Sequence, residues 1–146
     1  MSIRVYLEKN LTPELVEEAM PLIKALHLEG EGTELKAFNT AFLRDAVIAD
    51  MVRVVLARDG EKLVGFMLAY QSTSLTNEKQ LLIHQTYVMP EYRARGRSPA
   101  VAMIELLKTF AAGAGSVLFV VAKGDAGPKF FMAMGAEPVE LIMRFK

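Results

Sequence analysis

Ile3, Val5 and Leu7 alternate with polar neighbours at the start of the chain, the period-two pattern of a half-buried strand over Ile3–Leu7. The spacing then lengthens. Leu15, Ala19, Leu22 and Leu26 fall on one helical face. Thr12 can cap that helix, Pro13 suits its first position, and Glu14 suits the positive end of the dipole. Pro21 interrupts the pattern and predicts a kink or split near Met20. Gly30 and Gly32 close the helix, and Leu35, Phe38, Phe42, Ala46 and Ala49 mark a second one. Two strand-like runs follow, Val52–Arg58 and Lys62–Gln71, and the Asp59-Gly60 turn between them predicts a hairpin. Ser72–Lys79 is polar and reads as a loop, and Leu81–Met89 reads as a strand stopped by Pro90.

Ser98-Pro99 is a helix start, with a capping hydroxyl followed by proline at the first position. Val101, Ile104, Leu107 and Ala111 continue one face, which Met103, Leu106 and Phe110 widen before Gly113 and Gly115. Ser116–Ala122 is almost wholly apolar, the pattern of a central strand buried on both faces. Pro128–Met134 reads as a short helix ended by Gly135, and Val139–Phe145 as a last strand. The order β-α-α-β-β-β-α-β-α-β predicts one α/β (α+β) domain over residues 1–146.

Composition narrows the function. With 146 residues, 52% hydrophobic and 23% charged, the chain can close its own core. Basic and acidic residues balance at 17 each, which argues against a nucleic-acid coat or a polybasic membrane binder. The absence of cysteine removes disulfides, thiolate metal sites and a cysteine nucleophile. No apolar run reaches the roughly 18 residues of a membrane span, and Met1–Lys9 lacks the pattern of a signal peptide. The expectation is a cytoplasmic protein without a metal. Charge is unevenly placed: residues 1–50 carry 5 basic and 9 acidic groups, and the remainder carries the opposite excess.

Tyr87–Ala100 carries the most chemistry. A strand leads into Pro90-Glu91-Tyr92-Arg93-Ala94-Arg95-Gly96-Arg97-Ser98, and a helix follows. Three arginines stand just before a helix N-terminus, where free backbone N–H groups and the dipole favour an anion. Gly96 lets a phosphate approach closely, and arginine adds charge-assisted contacts. A polyphosphate ligand and an arginine-rich surface turn are the two readings of this pattern. RNA or DNA contact through Arg93, Arg95 and Arg97 is a third, and it predicts binding that falls steeply with salt.

Val88-x-Pro90-x-x-Arg93-x-x-Gly96-x-Ser98 resembles the acetyl-CoA signature of the GCN5-related N-acetyltransferases, Arg/Gln-x-x-Gly-x-Gly/Ala, set between that family's fourth strand and third helix. The element order matches the family's across nearly the whole chain. Gly127 to Ala136 resembles its second motif, with Phe130-Phe131 four residues before Gly135. The resemblance implies a mixed, mostly antiparallel central sheet flanked by helices. It implies acetyl-CoA as cosubstrate, with Arg93, Ala94, Arg95, Gly96, Arg97 and Ser98 around the pyrophosphate and the backbone near Tyr87 and Val88 along the pantetheine. It further implies a backbone N–H near Val88 on the thioester oxygen, and a cofactor contact from Phe131. The chain departs from the family pattern at four places. Ser98 stands where Gly or Ala is usual, and Pro99 removes an amide. Phe131 stands where the family often has a Tyr acid, and Gly124 where it often has an Asn.

The reaction so implied is acyl transfer to an amine, which must lose a proton. The strand that often carries a Glu reads Leu82-Ile83-His84-Gln85-Thr86-Tyr87, so His84 is the candidate base and Tyr87 a candidate proton donor. Plain alternation puts His84 with Thr86 on one face and Gln85 with Tyr87 on the other. A hydrogen-bonded structural histidine and a packed strand aromatic are the bland readings of the two. His27, near the end of the first helix, fits either a dipole contact or an acceptor pocket. The acceptor, a small molecule or a peptide amine, would lie against the first two helices, whose acidic excess suits a cation. A degenerate member of the fold, serving as a binding or structural subunit of a larger assembly, is the alternative. Ile3–Leu7 and Val139–Phe145 are edges through which a homodimer could pair.

Overall fold

Strands that follow one another in sequence lie side by side in the sheet. The computed structural model describes residues 2–32, 35, 39–93, 98–122, 126–139, 143 and 145. Among these, β1 (Ile3–Glu8), β2 (Val52–Asp59), β3 (Lys62–Thr73) and β4 (Lys79–Val88) pair antiparallel, and β5 (Val117–Val120) joins β4 in parallel. The helices are α1 (Pro13–Glu31), α2 (Thr40–Ile48), the short α3 (Pro90–Arg93), α4 (Pro99–Ala114) and α5 (Ala126–Ala133). The α/β architecture and mostly antiparallel sheet agree with the expectation.

The local signals act as their chemistry predicts. The Thr12 hydroxyl accepts from the Leu15 N–H at 3.1 Å, and Asn39 Oδ1 accepts from the Phe42 N–H at 2.9 Å. Ser98 Oγ accepts from the Ala100 N–H at 3.2 Å and opens α4. Gly32 and Gly115 end α1 and α4 with φ of 71° and 70°, a conformation that glycine adopts without strain.

Consecutive side chains of β2 leave the sheet on opposite faces. Val55 and Ala57 join Met67, Met103 and Leu107 in a core between the sheet and α4. Val54 and Leu56 join Phe66, Val16 and Leu22 in a second core beneath α1 and α2. A continuous apolar run is what a strand covered on both faces requires.

Four expectations need correction. Pro21 does not divide the first helix, because Pro21 and Glu17 are both exposed and the carbonyl that loses its donor can turn to water. Phe42 is 66% exposed although the spacing put it on the packed face of α2, where Ala46 and Val47 are the buried residues. Ser116–Ala122 does not form a strand buried on both faces. The strand it contains, Val117–Val120, is one of the two outer strands among the described residues, and Val117 is 43% exposed. The turn after Pro90 contains a helical segment, α3, where a plain loop was expected. Most of the expected last strand, Val139–Phe145, lies outside the described residues, as does Phe38.

Candidate active site

The sheet opens between β4 and β5. Gln80 to Ile83 pair with Val117 to Val120, and the Val121 N–H donates to the Ile83 carbonyl at 2.9 Å. Beyond that bond β4 runs on to Val88 with no described strand on this side. The Met89 N–H donates to the Val64 carbonyl at 2.8 Å, which fixes the alternation of the β3–β4 ladder. By that alternation the main-chain groups of Thr86 and Val88 turn away from β3 and into the opening. One of them is used: the Val88 carbonyl accepts from Arg93 Nε at 2.7 Å.

A bulge lies at the point of parting. Leu68 faces Gln85 while Ala69 faces Ile83, so His84 is the extra residue of β4. This overturns the simple alternation, because an inserted residue reverses the parity of everything after it. His84 and Thr86 do not share a face. His84 meets the Tyr70 ring edge-on at 5.6 Å, and the Tyr70 hydroxyl donates to Gln85 Oε1 at 2.9 Å. His84 Nδ1 is buried and has no hydrogen-bond partner among the described residues.

His84 lines a cavity of about 570 Å³ that runs from beneath α1 and α2, past the bulge, to Val121, Gly127 and Phe131 on the β5–α5 side. Leu15, Ala19 and Leu26 of α1 form part of its roof. These residues also formed the apolar stripe read from the sequence, and they are only half-buried because they cover space as well as protein. His27 lines the same cavity, so both histidines of the chain meet there. Among the described residues the lining holds no Asp, Glu, Lys or Arg. Two carboxylates of α1 are engaged elsewhere: Glu18 binds Arg58 at 2.8 Å and Glu29 binds Arg93 at 2.9 Å.

Tyr87 is buried and is not part of that lining. Its ring stacks near Phe66 at 6.4 Å and carries the Arg93 guanidinium at 5.1 Å. Burial pushes the phenol up from its ordinary value, Glu29 adds to the rise, and Arg93 opposes it. Arg93 thus joins three elements: β4 through Val88, α1 through Glu29, and its own α3. Ala94, Arg95, Gly96 and Arg97 lie outside the described residues. Phe131 meets Phe130 edge-on at 5.2 Å and faces the cavity. The Tyr70–Gln85 pair and the bulge had no sequence signal that a single chain could reveal. The described residues contain no group of three or more His, Cys, Asp or Glu able to hold a metal, and no helix long and apolar enough to cross a membrane.

Solved structures share this arrangement. An aminoglycoside acetyltransferase from an uncultured soil metagenomic sample, in complex with sisomicin, superimposes with a TM-score of 0.77 at 16% identity, covering 99% of this chain and 94% of that one. A ribosomal-protein-alanine N-acetyltransferase from Brucella melitensis biovar Abortus 2308 gives 0.71 at 21% identity, over 99% and 100% of the two chains. A predicted acetyltransferase from Clostridium acetobutylicum, with acetyl-CoA, gives 0.74 at 14% identity, over 99% and 96%. No curated protein matches the chain. At these identities the likeness speaks for the fold, and the sequence itself carries the rest. The model of the acetyltransferase (GNAT) family matches residues 15–135, from the roof of the cavity in α1 to the glycine after α5. The chain therefore belongs to the acetyltransferase (GNAT) family, and membership supports acyl transfer as its general chemistry.

Proposed function

We propose that the chain transfers an acetyl group from acetyl-CoA to the nitrogen of a small-molecule amine. One observation carries the reading: a single cavity passes through the split between β4 and β5, with helices α1 and α2 over one end and β5 and α5 at the other. Two substrates entering from opposite ends would meet at the bulge, and proximity of that kind supplies much of the rate in a bimolecular transfer. The family resemblance assigns the β5–α5 end to acetyl-CoA, with Arg93 to Ser98 toward its pyrophosphate and Phe131 beside it.

In the step itself, the amine lone pair attacks the thioester carbonyl carbon. The oxygen takes the negative charge, which the Val88 N–H is the candidate to stabilise. The carbon–sulfur bond then breaks, the amide remains on the acceptor, and CoA leaves as thiolate. The amine gives its proton to His84, directly or through water, and the thiolate is protonated in turn. The unpartnered Nδ1 beside the cavity supports His84 in that role. Tyr87, buried outside the cavity lining, supports Arg93 through its ring face.

The test is a thermal-shift titration with acetyl-CoA, CoA and ATP. Ligand at about 100 times its Kd adds roughly 2.7 kcal/mol, or about 5–10 °C in Tm for a domain of this size. A shift with both CoA forms and none with ATP is expected. No shift with millimolar acetyl-CoA would overturn the reading in favour of a degenerate scaffold. With the cofactor site established, His84→Ala should lower kcat by roughly 100-fold or more. Turnover unchanged at every pH would take His84 out of the mechanism.

A further inference from the structure

The two ends of the cavity recognise different chemistry, and the end beneath α1 and α2 narrows the acceptor. Its wall is built from aliphatic and aromatic side chains, among them Leu11, Val16, Ile23, Leu43 and Leu68. The polar groups that interrupt it are His27, Asn39, Tyr70, His84, Gln85 and Thr86, none of which carries a fixed charge. An ammonium group entering such a site would give up its water and meet no carboxylate among the described residues. The described acidic side chains of α1 do not compensate. Glu14 and Glu17 are exposed, Glu18 is engaged by two nitrogens of Arg58, and both oxygens of Glu29 accept from Arg93.

We propose that the acceptor is an apolar-bodied primary monoamine, bound as the neutral base, with its hydrocarbon part under α1 and α2 and its nitrogen at His84. The proposal rests on the transfer reading for the identity of the reacting group, and on the cavity wall for the rest. The whole cavity, both ends together, has a volume of about 570 Å³, so the part beneath α1 and α2 suits a small organic ligand. The partnerless Nδ1 of His84 supplies an acceptor for one N–H of a neutral amine, and the Tyr70–Gln85 pair stands beside it. A polycation, whether a polyamine or an aminoglycoside, would leave several charges buried without an acidic partner among the described residues of this wall. The sisomicin complex of the metagenomic neighbour shares the fold with this chain, and fold alone does not set the charge of a pocket.

Calorimetry on the full chain tests the proposal by ligand chemistry, so that no variant has to fold. The probes are 3-phenylpropylamine, its neutral isostere 3-phenylpropanol, the corresponding trimethylammonium salt, spermidine and sisomicin. At about pH 9.4, where roughly a tenth of a primary alkylamine is unprotonated, phenylpropylamine and the alcohol should bind within about tenfold of each other, and at least about 30-fold more tightly than spermidine and sisomicin. As the pH falls the amine should weaken about tenfold per unit while the alcohol does not. The trimethylammonium salt should bind at least about tenfold more weakly than the amine. Tighter binding of spermidine, sisomicin or the quaternary salt would overturn the proposal, and so would the absence of binding by the first two at about 10 mM. Acetyl-CoA is titrated in parallel. Cofactor binding alongside a reversed acceptor order would defeat the apolar acceptor and leave acyl transfer standing. Binding of the arylamine without any binding of acetyl-CoA would defeat the transfer reading and leave the character of the cavity intact. In the wild-type protein with acetyl-CoA present, release of CoA thiol should follow the same order of acceptors.

Discussion

Gly65 shows how closely the opening is built. It lies on β3 opposite Val88, and a Cβ placed on it would come within 2.9 Å of the Tyr87 carbonyl oxygen and 3.3 Å of Val88 Cγ2. The nearest of these atoms is backbone and cannot swing aside as a side-chain tip would. Gly65→Ala must therefore push the end of β4 outward, where the amide of Val88 would meet a thioester. We expect a loss of about 1–3 kcal/mol in denaturant melts, together with weaker acetyl-CoA binding. Unchanged stability and affinity would show that β4 yields there freely. His84 illustrates the opposite case, a residue whose chemistry was plain and whose direction was not. Its imidazole stood out in a strand without carboxylates, yet the bulge that turns it depends on how β3 and β4 align over several residues.

At the level of elements, α1 departs most usefully from expectation. A proline in a helix interior removes one hydrogen bond and crowds the preceding turn, at about 3 kcal/mol relative to alanine in a free helix. Here the affected turn faces water, so the helix runs on from Pro13 to Glu31. Pro21→Ala should raise stability by about 1–2 kcal/mol, part of the gain being offset by a more flexible unfolded chain. A lower Tm in that variant would mean that Pro21 shapes the cavity roof in a way its exposure does not reveal. The correction to β5 has a similar origin. Its apolar composition is real, but Leu118 and Val120 are only half-buried against the core that α4 covers.

Across the whole molecule, two ion pairs fasten α1 over the sheet. Arg58 reaches from β2 to both oxygens of Glu18 at 2.8 Å and also donates to the Tyr6 hydroxyl at 2.9 Å. Arg93 holds Glu29 at the other end of the helix. The Arg58 side chain is 14% exposed and that of Arg93 is 43%, so the first pair is less screened by solvent and should contribute more. We expect Glu18→Gln to cost about 1 kcal/mol and Glu29→Gln a few tenths. The Arg58 hydrogen bonds hold the Glu18 carboxyl below its ordinary value. A lowered folded-state pKa contributes stability that is fully present above the ordinary carboxylate range and is lost as the pH falls through the folded value. Acid melts of Glu18→Gln should therefore show a shallower decline below about pH 4.5 than the parent chain. An identical acid limb in the two proteins would remove Glu18 from the linkage.

The sequence by itself determined the elements and the family pattern. Caps, glycine stops and hydrophobic period are encoded within a few residues, and Thr12, Asn39, Ser98, Gly32 and Gly115 act locally whatever the rest of the chain does. The Arg93–Ser98 motif was legible for the same reason, as a short run ahead of a helix cap. Tertiary structure decided the site. Whether Leu15, Ala19 and Leu26 meet a core or roof a cavity depends on the distance between α1 and the sheet, because an apolar stripe forms equally well for either. Where β5 leaves β4, which face receives His84, and which carboxylates are consumed by Arg58 and Arg93 are all set by contacts between residues far apart in the chain. Local spacing carries no information about such pairings, so the acidic excess of the first fifty residues did not reveal that Glu18 and Glu29 are taken up by Arg58 and Arg93.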